Sequence, residues 1–128
     1  MFSLPSPEEP PLVDLAILHD LEQQLDGRSA VLDFVGDFAS LWAARYTRVA
    51  EALRTGDDEA ALDALLSLKA SASMVGAIRL AGRAEEIESA MKRGDVGDGK
   101  TFLPALSTCG QLTLHALETL YVRPSEAD

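Results

Sequence analysis

A chain of 128 residues carries 11 Lys+Arg against 21 Asp+Glu, a formal net charge of −10 at pH 7. An anionic excess of that size repels phosphate backbones and anionic lipid, which argues against nucleic acid or a membrane surface as partner. With 47% hydrophobic residues, one cysteine (Cys109) and no apolar run near the ~20 residues of a membrane span, the composition fits a single packed domain without a disulfide framework or a zinc cluster.

Residues 1–11 hold four of the six prolines and two glutamates and read as a disordered lead-in ending in a stiff Pro10-Pro11 step. They lack the basic start and apolar run of a secretory signal, so a cytoplasmic location is expected. Leu12, Leu15, Leu18, Leu21 and Leu25 recur at three- and four-residue steps, which predicts a short helix capped by Asp14 and stopped by Asp26-Gly27. A second helix is expected from Ser29 to Arg54, carrying Val35, Phe38, Trp42, Tyr46, Val49 and Leu53 on one face. Gly36 weakens it by roughly 1 kcal/mol relative to alanine without abolishing it. The third runs from Asp58 to Val75 with Leu62, Leu65, Leu68, Ala72 and Val75 as its seam, and Gly76 interrupts it. The fourth runs from Ala77 to Arg93 with Leu80, Ala84, Ile87 and Met91 inward; residues 94–99, rich in Gly and Asp, read as a loop. The last helix is expected from Thr101 to Tyr121, with Pro124 just past its end and residues 123–128 as a flexible tail. No segment alternates with period two between hairpin turns. The expected fold is all-α: an up-down-up-down four-helix bundle over residues 12–122, with the shorter first helix as an addition at one end.

The third helix departs from a generic pattern. At about 100° per residue, Leu66, Ala70 and Ser73 fall on a second stripe, roughly 120° from the centre of the apolar seam. A large aliphatic side chain there, flanked by small residues and with Lys69 alongside, marks a place that something else approaches. A neighbouring helix lying over Leu66 would account for the wheel equally well.

The local string Ala64-Leu65-Leu66-Ser67-Leu68-Lys69-Ala70-Ser71-Ala72-Ser73-Met74-Val75-Gly76-Ala77 resembles the signature of histidine-containing phosphotransfer (HPt) domains, Ala-His-x-Leu-Lys-Gly-Ser-(Ser/Ala) followed by an apolar residue and Gly-Ala. Leu68, Lys69, Ser71, Ala72, Val75, Gly76 and Ala77 match in register. Gly56-Asp57-Asp58 upstream, and Leu80-Ala81, Glu85, Ile87, Glu88 and Arg93-Gly94-Asp95 downstream, are similar to the flanking parts of the same family over residues 29–121. The resemblance implies a four-helix bundle acting in a phosphorelay, with a response-regulator receiver domain or a histidine kinase as partner. It also implies that Leu66 stands where the family keeps its phospho-accepting histidine, and Ala70 where it keeps a glycine. Phosphoryl acceptance needs a nucleophilic lone pair, which imidazole has and an isobutyl group lacks.

No other residue takes over the acceptor's role convincingly. His19 has Glu22 three residues on and His115 has Glu118, so each sets a carboxylate where the family sets a charge-neutralising lysine. Ser67, Ser71 and Ser73 have no base within a helical turn. Cys109 lacks a basic neighbour and reads as a buried helix cysteine. No metal site, cofactor or catalytic set is expected, and the chain is not read as an enzyme. The expected docking residues are Leu66, Lys69, Ala70, Ser73 and Arg79; Arg79, Arg83 and Lys92-Arg93 would extend a basic strip around Lys69. Two readings result: a pseudo-phosphotransfer adaptor that docks a partner without carrying phosphate, or a structural or oligomerisation bundle in which Leu66 is buried.

Overall fold

Caps in the sequence mark where the helices start and stop. Asp14 accepts a hydrogen bond from the Ala16 amide at 3.0 Å and opens α1 (Leu15–Gln24). α2 (Arg28–Thr55) runs to Gly56, whose left-handed φ of 77° lets the Asp57 amide reach back to the Ala52 carbonyl at 2.9 Å. Asp57 then accepts from the Ala60 amide at 3.1 Å and opens α3 (Asp58–Met74). Asp58 and Glu59 occupy its first turn, where the helix dipole favours acids. α4 (Ile78–Lys92), α5 (Val96–Thr101) and α6 (Leu103–Leu117) follow, and α6 continues into a π-helical turn, Glu118–Val122.

The computed structural model describes residues 9–124, among which there is no strand. α2, α3, α4 and α6 form the up-down-up-down bundle expected from the periodicity, and α1 packs against α2 and α3. The core is aliphatic: Leu18, Val31, Leu68, Leu80, Ile87 and Leu106 are fully enclosed. Two glycines are required by close approach. Gly76 (φ 76°) accepts from the Asp14 amide at 2.8 Å, and a Cβ there would stand 2.6 Å from the Asp14 carbonyl oxygen. Gly110 faces the indole of Trp42, where a Cβ would lie 1.9 Å from Cζ2. At the far end of the chain Tyr121 is buried and its hydroxyl donates to the Glu22 carboxylate. Arg28 donates to the Tyr121 carbonyl at 2.6 Å and holds its guanidinium 5.1 Å from the ring centroid.

Three features differ from the sequence expectation. Much of the segment 94–99 is helical, not loop: α5 sets the buried Gly99 against Ile87 and Met91, so packing on α4 overrides the low helix propensity of glycine. The last helix begins at Leu103, and its final turn is π-helical, with the Arg123 amide reaching the Glu118 carbonyl at 2.8 Å. Leu12 lies outside α1. Most of the expected lead-in (1–8) and part of the expected tail (125–128) lie outside the described residues. At the end of the lead-in, the Pro10 carbonyl accepts from Arg79 Nε at 2.8 Å, and Glu9 is 3.4 Å from the same guanidinium. Among the described residues no helix is long and apolar enough to cross a membrane.

Candidate docking site

α3 buries Ala61, Ala64, Leu65, Leu68 and Ala72 against the bundle, and this rotation turns Leu66 outward. Leu66 is 54% exposed, with Ala70 and Ser73 also exposed on the same stripe. Helix α1 does not cover it, so burial of Leu66 within its own chain, one form of the structural reading, is corrected. The small side chains at Ala70 and Ser73 leave the isobutyl group standing clear of its neighbours. Where α2 flanks α3, a cleft of about 230 Å³ is lined by Phe34, Asp37, Phe38, Leu41, Arg45 and Ser71.

Lys69 does not point freely into solvent. Its ammonium donates to Glu88 Oε1 on α4 at 2.7 Å, while Lys92, one turn further along α4, lies 3.2 Å from Glu88 Oε2. The side chain of Glu88 is 12% exposed. The hydrogen bond from Lys69, more than that from Lys92, holds the Glu88 carboxyl below the usual carboxylate range despite its burial. The same bond raises the Lys69 ammonium above the usual lysine range.

Arg79 lies elsewhere. Nine residues separate it from Glu88 on α4, which at about 100° per residue puts the two on opposite sides of the helix. Arg79 and Arg83 face a groove toward α6 with Leu12, Pro104, Ala105 and Leu112, and they pair with Glu9; Arg83 also pairs with Glu86 at 3.1 Å. The expected basic strip therefore divides. Lys92 joins Lys69 through Glu88, whereas Arg79 and Arg83 belong to another face. The sequence reading missed Glu88 as part of the site. Its spacing of four from Lys92 was visible, but its meeting with Lys69, 19 residues away, depends on how α3 and α4 are rotated against each other.

The remaining candidates are dispersed. His19 and His115 are both exposed. Glu22, near His19 in sequence, is engaged by Tyr121. Cys109 is buried with Sγ 3.9 Å from Thr113 Oγ1, and burial pushes its thiol up, away from the reactive thiolate. Among the described residues no group of three or more His, Cys, Asp or Glu side chains is placed to hold a metal ion.

The fold is thus a four-helix bundle with an exposed, lysine-flanked stripe on α3. The family model of the Hpt domain matches residues 16–120, and the chain belongs to that family. Hpt domains are phosphotransfer modules of two-component signalling, carriers rather than catalysts, and they typically meet receiver domains and histidine kinases. The fold is similar to the crystal structure of histidine-containing phosphotransfer protein B (HptB) from Pseudomonas aeruginosa PAO1, with a TM-score of 0.79 and 21% identity over 90% of this chain and 98% of that one. No curated protein matches the chain.

Proposed function

We propose that this protein is a pseudo-phosphotransfer adaptor that docks a receiver domain, or a histidine kinase, through the α3 face around Leu66 without carrying phosphate. The observation that carries the reading is an isobutyl group, 54% exposed, at the position that the resemblance aligns with the phospho-accepting histidine. A carbon-only side chain accepts no phosphoryl group at any pH, yet it can press on the apolar rim of a partner's pocket. Lys69 supplies the charge complementary to a receiver site built from aspartates. The small residues Ala70 and Ser73 give a partner's backbone room to approach.

The test is to add phosphorylated receiver domains of the source organism to the purified protein. The expected result is complex formation with no acid-labile label on this chain. Leu66→Asp is expected to weaken the complex about tenfold or more while leaving the melting temperature within a degree or two of wild type. Lys69→Glu is expected to weaken the complex as much and also to lower the melting temperature, because it sets a second carboxylate beside Glu88. Unchanged binding in both variants overturns the docking face. A dimer in sedimentation that Leu66→Asp dissolves favours the oligomerisation reading instead.

A further inference from the structure

Glu88 divides its carboxylate between two cations of unlike setting. Lys69, on α3, has a side chain 29% exposed, and Lys92, on α4, is 65% exposed. The bond to Lys69 is the shorter, 2.7 Å against 3.2 Å. An acidic group of a partner that seeks Lys69 must therefore displace a carboxylate already in place on the same molecule. Displacement alone would strand a largely buried anion, which is unfavourable. Lys92, four residues on and mostly in water, can follow the carboxylate and keep it neutralised while Lys69 turns outward.

We infer that Glu88 is a built-in competitor for Lys69 that sets the affinity of the Leu66 face for an acidic receiver site, and that Lys92 is a positioning residue that takes Glu88 over when the partner binds. This rests on the docking reading above and adds to it how docking is regulated. The ordering of the two bonds agrees with it: Lys69 contributes more than Lys92 to holding the Glu88 carboxyl below its ordinary range. Glu85, also on α4, adds a weaker pull on the Lys69 ammonium. Among the described residues, Lys69 thus feels the carboxylates of Glu88 and Glu85, of which Glu88 bonds to it.

The test measures affinities for the purified receiver domains of the source organism, by titration calorimetry, in the wild type and a set of variants. Glu88→Gln and Glu88→Met are expected to bind about tenfold tighter, and Lys69→Met in the Glu88→Met background is expected to erase the gain. Lys92→Met is expected to weaken wild-type binding several-fold and to change nothing in the Glu88→Met background, because it acts through Glu88 alone. If wild type binds and neither Glu88 variant binds tighter, the competitor is overturned while the docking reading stands. An equal loss from Lys92→Met in both backgrounds overturns the hand-over. A silent wild type with binding Glu88 variants upholds the competitor and overturns the adaptor that docks unaided. No binding by any form overturns both.

Discussion

The isobutyl group of Leu66 offers no lone pair to a phosphoryl group and takes no part in the packing seam of Leu65, Leu68 and Ala72. Chemistry and stability are thus separable at position 66. They are joined at Tyr121, where burial and the hydrogen bond to Glu22 push the phenol up to about 12, from an ordinary value of 10.0. The unfolded chain ionises this group near its ordinary value while the folded chain keeps the proton. The stability it contributes is therefore whole below that value and is lost as pH rises toward the folded one. Tyr121→Phe is expected to cost about 1 kcal/mol near neutral pH, through the lost bond to Glu22. It is also expected to flatten the alkaline decline, read from denaturant midpoints across the alkaline range. An alkaline limb as steep as that of wild type would show that the phenol is not its source.

Among the helices, glycine has opposite effects in different places. Gly36 lies in the interior of the 28-residue α2, in its first third, on its exposed side, and a Cβ there would meet nothing within 4 Å. Gly36→Ala is expected to stabilise the protein by about 0.5–1 kcal/mol, read as a higher denaturation midpoint with an unchanged slope. At Gly76 the same change forces a Cβ into the Asp14 carbonyl at a positive φ, and so strains the turn that carries α1. In α5, Gly97 and Gly99 sit within a helix that propensity alone disfavours; Gly99 is buried facing Ile87 and Met91, and a Cβ there would meet them at 3.5 and 3.6 Å, ordinary van der Waals contact.

For the molecule as a whole, a close contact joins distant parts of the chain, the indole of Trp42 on α2 against the bare backbone of Gly110 on α6. Gly110→Ala is expected to destabilise by about 1–3 kcal/mol, since the ring must move or the helices part. Trp42 is the sole tryptophan, so its emission should shift in the folded state as well. An unchanged spectrum and midpoint would mean that the two helices are not seated as described. Charge is organised at the same scale. On a chain of net charge −10, Arg79 and Arg83 pair with Glu9 and Glu86 while Lys69 and Lys92 pair on Glu88, so local cations sit within an acidic surround. That arrangement favours an acidic partner only where a lysine can be freed at short range.

Periodicity alone determined that the chain is helical, where most helices start, and that Leu66, Ala70 and Ser73 share a stripe off the seam, because helical geometry ties spacing to direction within one element. The cap Asp14 was legible for the same local reason. Whether Leu66 was covered, that Lys69 meets Glu88, that Arg79 faces the groove toward α6, and that residues 96–101 coil into a helix were decided only by the tertiary structure. Each depends on the rotation and offset of one helix against another, and that relation is set by packing between residues far apart in the chain.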